Sequence, residues 1–284
     1  MKVSFWSPSC NDCAVTSNLA CISIMFSNMY PFKSLIIENH LQRNKIKDLI
    51  HFKSNYNYVC ENKNYYERYT GMNSILYDLS LMHNTYHKRE PCLEDLVKML
   101  ENVTEEILCE CLFYISTDNR TNKMLFELGI NKHIRIILKA SELFTDLTFI
   151  DTGNSNVLGT KEVLDEADLI IVNLSQDPNE LHNFFKNYYS ILSRSFILIS
   201  KYDKKSYYNL KKITQTYLLD KSNVATIPYN AEYKEALRSG KLIGFLINNF
   251  NCKKCNQNYY FMSETIKATE KIYNIISSLT RSPK

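Results

Sequence analysis

Glycine is scarce in this sequence, with six in 284 residues and none between Met1 and Thr70. Loops that cradle phosphate use glycine to turn backbone N–H groups inward, so the first quarter of the chain cannot build one in the usual way. Lysine is also missing between Lys2 and Lys33. No run of about 18 apolar residues occurs, which excludes a transmembrane helix. The start lacks a basic segment followed by a long apolar stretch, so a secretory signal is not expected. Charge of one sign does not dominate: 34 basic residues face 30 acidic ones, for a net charge of +4. No basic stripe stands out, and nucleic acid is not the expected partner. Nine cysteines, an odd number, are scattered among apolar positions. They read as free, mostly buried thiols in a reducing cytoplasm.

What is present is apolar alternation on a large scale. Hydrophobic residues make up 45% of the chain, enough for a sizeable core. Residues 2–7 read as a buried first strand, residues 8–14 as a turn and residues 15–29 as a helix, with Leu19, Ile22, Phe26 and Met29 at helical spacing. Pro31 stops that helix. Further strands are expected at 34–37, 112–115, 147–150, 169–172, 196–199 and 224–227. Helices lie between them, including residues 133–144, and Ser263 is placed to cap a last helix. This alternation predicts an α/β fold, doubly wound, with a mostly parallel sheet of about seven strands and helices on both faces. One domain spanning 1–284 is expected, with a helical elaboration at about 44–110 that is rich in tyrosine and asparagine. Cys109 and Cys111, at the entry of the 112–115 strand, are expected in the core. In such sheets ligands bind beyond the carboxyl ends of the strands. Those ends carry residues 8–14, Glu38-Asn39-His40, Asp151-Thr152-Gly153, Asn173-Leu174-Ser175 and Ser200-Lys201-Tyr202-Asp203.

The order of elements resembles the MinD/ParA family of P-loop ATPases over nearly the whole length. The family's first loop reads K-G-G-x-G-K-[ST]. Its counterpart here is Cys10-Asn11-Asp12-Cys13-Ala14-Val15-Thr16, followed by Ser17. Only Thr16 matches, at the magnesium-binding hydroxyl; a one-residue shift puts Ala14 at the lysine position and Val15 at the hydroxyl position. Neither alignment recovers the lysine. The family's D-x-D-L after the second strand becomes Glu38-Asn39-His40-Leu41, so that His40 stands where an aspartate helps to activate water. Its D-x-P-x-G becomes Asp151-Thr152-Gly153-Asn154-Ser155, which keeps the first aspartate. Ile227-Pro228-Tyr229-Asn230 resembles the family's later I-P-x-x stretch. The resemblance implies ATP and magnesium as ligands of an intact site, a homodimer across the 8–14 face, and protein partners. Members that lose the loop lysine include the TadZ/CpaE-type localisation factors of pilus assembly.

Each candidate residue has a functional and a structural reading. Asp12 places negative charge where phosphates would sit, which repels a triphosphate by roughly a few kcal/mol at an effective dielectric near 20. The loop is then a nucleotide-site remnant, or a weak site using the helix N-terminus with Thr16 or Ser17. Asp151 can hold a magnesium-bound water or serve as a scaffold residue. His40 can act as a general base near pH 7 or be a hydrogen-bonded surface group. Lys201, Tyr202 and Asp203 sit where the family contacts the base, and also read as a solvated loop. Cys10-x-x-Cys13 and Cys252-x-x-Cys255 have the spacing of metal or redox pairs, separated by some 240 residues. Their other reading is ordinary reduced cysteine. His83 and His87 at i, i+4 spacing lack a third ligand. Three functions follow: a catalytically impaired cytoplasmic positioning or scaffold factor for pilus or secretion apparatus or for partitioning; an active or weakly active ATPase; and a metal or redox protein built on the CxxC pairs.

Overall fold

A computed structural model describes residues 1–9, 13–41, 46–50, 70–84, 92–117, 122–154 and 159–281. Strand β1 (Lys2–Ser7) is buried at every position and lies at the centre of an eight-stranded sheet. The others are β2 (Ser34–Glu38), β3 (Glu105–Leu108), β4 (Leu112–Ile115), β5 (Leu147–Asn154), β6 (Leu169–Leu174), β7 (Ser195–Tyr202) and β8 (Val224–Pro228). The strand order is β3-β4-β2-β5-β1-β6-β7-β8. All pairings are parallel except β3 with β4.

The strands are apolar on both faces because both faces are covered. Val3 and Phe5 of β1 face a core shared with helices α1 (Val15–Met29), α10 (Leu242–Asn249) and α11 (Tyr259–Arg281). Trp6, one residue out of phase, faces the opposite side, among Leu181 and Phe184 of α7 (Pro178–Asn187) and Ile213 of α8 (Leu210–Thr216). On that second face, next to α7 and α8, helices α3 (Met72–Asn84), α4 (Leu93–Val103), α5 (Lys123–Phe144) and α6 (Thr160–Glu166) cover Leu35, Ile37, Ile115 and Ile150. Each fully buried leucine, isoleucine or phenylalanine contributes about 1.5–3 kcal/mol. Helix α1 is buried nearly all round, which is why its hydrophobic periodicity looks weak in sequence. Two short helices complete the chain: α2 (Ile46–Ile50), which packs on α1 and on α9 (Ala231–Arg238), and α9 itself.

The structure departs from the sequence expectations in four places. The sheet has an eighth strand: β3 carries Glu105 and Glu106, so it reads as polar, and it lies inside the 44–110 stretch expected to be helical. It folds back on β4 through a turn in which Glu110 adopts φ 57° and Cys109 is exposed, so Cys109 is not a core residue. Helix α5 begins at Lys123 rather than 133, because the Asn122 Oδ1 accepts from Met124 N at 2.9 Å and Leu125 N at 3.3 Å. Helix α11 begins at Tyr259, so Ser263 lies inside it rather than at its cap.

Candidate functional site

The end of β1, the turn after it and α1 form the centre of the cleft. Cys10, Asn11 and Asp12 lie outside the described residues, and the following half of the turn is tied down by side chains from other strands. The Cys13 thiol donates to Glu180 Oε1 at 2.9 Å, and the Cys13 carbonyl accepts from Ser200 Oγ at 2.8 Å. Burial, and then the Glu180 carboxylate, push the Cys13 thiol up to about 11. Glu180 is held in turn by the Ser175 hydroxyl at 2.5 Å and the Ser175 N–H at 3.2 Å. Asn18 bridges two strands, donating to Asn173 Oδ1 and to Ser200 Oγ, both at 2.8 Å. Ala14 precedes α1 in the left-handed region (φ 56°, ψ 32°), and no side chain caps the helix. A non-glycine residue there costs about 1–2 kcal/mol. Val15 is buried, whereas Thr16 and Ser17 are partly exposed; the Ser17 carbonyl accepts from the Tyr233 hydroxyl at 3.0 Å. Glu180 is the residue that the sequence reading missed. The available signal was its position in the first turn of the helix after β6, where Asp177 Oδ1 accepts from Asn179 N and Glu180 N.

On the other side of β1, parallel pairing sets Glu38 of β2 beside Asp151 of β5. The Asn39 N–H donates to the Asp151 carbonyl at 2.8 Å, which extends the pairing past the strand end. His40, two residues beyond Glu38, therefore returns to the same side of the sheet. Its Nε2 lies 3.2 Å from Asp151 Oδ2, and neither side chain is more than 1% exposed. The two atoms are at ion-pair distance but off hydrogen-bond alignment. His40 is thus a buried ion-pair partner and not a surface group. Asp151 Oδ1 accepts from Gly153 N at 2.9 Å. Burial alone would raise the Asp151 carboxyl, but His40, the Thr16 hydroxyl and the Gly153 N–H outweigh it and hold it below the usual carboxylate range. Glu38 goes the other way: burial raises it, although His40 and its hydrogen bonds pull it back. Those bonds come from Ile46 N at 2.8 Å, Tyr114 Oη at 2.7 Å and Thr117 Oγ1 at 3.2 Å. Beside this cluster the Asn39 amide and the Thr160 hydroxyl are buried without a hydrogen-bond partner among the described residues. Gly159 closes over them at φ +87°, and a Cβ there would stand 2.9 Å from Ile130 Cγ2.

A cavity of about 580 Å³ opens where α1 begins, between β8, α2 and α9. Ser17, Asn18, Lys201, Tyr229, Lys234 and Arg238 contribute to its lining, with Asp48 on the α2 side. Of the three base-loop candidates only Lys201 reaches it, on backbone at φ 50°. Tyr202 is 7% exposed and its hydroxyl oxygen accepts from Leu210 N at 3.0 Å. Asp203 N donates to Gln176 Oε1 at 2.7 Å, and Asp203 Oδ1 accepts from Lys205 N at 2.9 Å. Tyr202 and Asp203 therefore build the loop and do not face the cavity.

Among the described residues no group of three or more His, Cys, Asp or Glu side chains is placed to hold a metal ion. Cys13 is engaged by Glu180, Cys252 is half-buried against the core and Cys255 is exposed. Cys10, His87 and the His83 side chain lie outside the described residues. Magnesium, which the resemblance implies at Thr16 and Asp151, does not fit the residues present. A carboxylate oxygen that would face the ion's water faces an imidazole instead.

No protein-family model and no curated protein matches the chain. Solved structures do match. A ParA family ATPase from Chlorobium tepidum superposes with a TM-score of 0.67 at 14% identity, covering 95% of this chain and 98% of that one. The septum site-determining protein MinD of Pyrococcus horikoshii, complexed with Mg-ADP, gives 0.67 at 11% identity over 99% of both. MinD in the MinC:MinD complex of Aquifex aeolicus gives 0.62 at 11% identity over 96% of both. At these identities the likeness is one of architecture, and it runs over nearly the full length: the chain has the MinD/ParA-like P-loop ATPase fold.

Proposed function

We propose that this chain is a positioning or scaffold factor that works through protein contacts and has lost ATP turnover. The observation that supports the reading is the buried His40–Asp151 pair. An acid that orients water would need a free carboxylate there, and the side chain at that position is an imidazole engaged with the next carboxylate. The phosphate loop supports the same reading, since Ala14 replaces a glycine or lysine and Cys13 is clasped by Glu180. The architecture is kept in full, which is what contact surfaces require. Protein partners fit the fold, as the MinC:MinD assembly illustrates for one of its structural relatives. We further assign the work to the cytoplasm, to a homodimer formed across the 8–14 face, and to placement of a pilus or secretion apparatus or to partitioning.

A second reading, nucleotide binding without turnover, is favoured by the cavity lined by Ser17, Asn18, Lys201, Lys234 and Arg238. Its charge suits an anionic ligand, with three cationic side chains against Asp48.

Phosphate release from MgATP by the pure protein tests the main reading. The expected result is a rate indistinguishable from buffer. Magnesium-dependent turnover that disappears on Asp151→Ala overturns it. Nucleotide binding without release would select the second reading.

A further inference from the structure

The cleft holds three ionisable side chains in a dry space: Glu38 and Asp151 at 0% exposure and His40 at 1%. Two are acids and one is a base. The backbone places them there, because Glu38 and Asp151 are register partners and His40 follows by two residues. Each Glu38 oxygen is already occupied, by Ile46 N on one side and by Tyr114 and Thr117 on the other. Glu38 therefore anchors α2 and β4 through both of its oxygens. Asp151 Oδ1 is taken by the Gly153 N–H and Oδ2 faces His40. Among the described residues, the basic side chain that meets these acids is His40.

We infer that the His40 ring fills the space a divalent cation would need beside Asp151, so that the site between Thr16 and Asp151 refuses metal ions and the end of β5 is held by a side chain of the chain itself. In this arrangement β2 and β5 are coupled permanently. The geometry around Asp151 is then set at folding and not by ligand. This rests on the reading of the cleft as an ATPase site without turnover, but it concerns the metal alone.

The test is titration of the full chain with Mn²⁺ in the absence of nucleotide, following free Mn²⁺ by electron paramagnetic resonance. The wild type is expected to bind no stoichiometric ion at micromolar concentration, and its melting temperature is expected to stay the same with added Mg²⁺ or EDTA. His40→Asp, which creates an open acidic pair, is expected to bind one Mn²⁺ at least about tenfold more tightly than the wild type. Adding Asp151→Asn to it is expected to abolish that gain. His40→Asn serves as a second variant that removes the charge while keeping a smaller polar side chain; it is expected to gain Mn²⁺ binding more weakly. If either variant is unfolded without metal, recovery of its fold by Mn²⁺ supports the inference. A wild type that binds one Mn²⁺ sensitive to Asp151→Asn overturns it. So does the absence of any Mn²⁺ gain or metal-dependent refolding in both variants. Neither result depends on ATP turnover, so failure here is separate from failure of the functional reading.

Discussion

His40 Nε2 lies 3.2 Å from Asp151 Oδ2, and both side chains are sealed from solvent. The contact ties together the ends of two strands that pair up to Glu38 and Asp151. Removing one partner of such a pair leaves a buried charge without compensation. Asp151→Asn is therefore expected to cost about 3–5 kcal/mol at neutral pH, measured by urea unfolding. The Asp151 carboxyl is held below its unfolded value, so its contribution is complete above about pH 4 and is lost as pH falls through the folded value. The gap between wild type and variant should narrow in acid. Glu38 has the opposite sign: its raised carboxyl costs stability as pH rises above its unfolded value. A gap that stays constant down to the acid limit would contradict the pairing.

Ala14 adopts φ 56° immediately before α1. Glycine takes that conformation without a Cβ penalty, at the expense of some chain entropy in the unfolded state. Ala14→Gly is expected to stabilise the protein by about 0.5–1 kcal/mol in chemical denaturation. A loss of stability would mean that this turn is not left-handed at Ala14.

Much of the architecture was legible in the sequence, because buried parallel strands are short apolar runs rich in β-branched residues and bounded by turn signals. The runs at 34–37, 147–150, 169–172, 196–199 and 224–227 all became strands. Strand β3 was not legible: at the sheet edge it carries an exposed Glu106 and a half-buried Glu105, and edge strands do not need an apolar face on both sides. The start of α5 was hidden by Gly129, which sits where α3 passes close, and by a polar cap with no apolar stripe before it. At the site, sequence order placed Asp151 and His40 at strand ends but could not show that they touch. That contact depends on the β2–β5 register, which is a property of two strands more than a hundred residues apart. Glu180 was missed for the same reason, since its partner Cys13 is 167 residues away.

Thr160 opens α6 with its hydroxyl buried and without a hydrogen-bond partner among the described residues. Replacing an unsatisfied hydroxyl by a methyl of the same shape removes a desolvation cost of about 1–3 kcal/mol in part. Thr160→Val is expected to leave stability unchanged or to raise it by up to about 1 kcal/mol. A loss larger than that, seen in thermal unfolding, would show that the hydroxyl is satisfied in solution.

The Cys13 thiol is 2% exposed and raised to about 11 by burial and by Glu180. Thiolate is the reactive form, so Cys13 should resist alkylation at neutral pH, whereas the exposed Cys92 and Cys255 should be open to it. Peptide mass mapping after brief treatment with iodoacetamide checks this. Glu180→Gln, which removes the carboxylate beside the thiol, should speed modification of Cys13. Rapid labelling of Cys13 in the folded wild type would contradict the clasp that fixes the turn after β1.

The most direct test of the central claim is single-turnover hydrolysis of ATP with protein in excess and magnesium present, run on the wild type and on His40→Asp side by side. The proposed loss of turnover predicts no phosphate release by the wild type above the spontaneous rate. A magnesium-dependent burst from the wild type, lost on Asp151→Ala, would contradict the account.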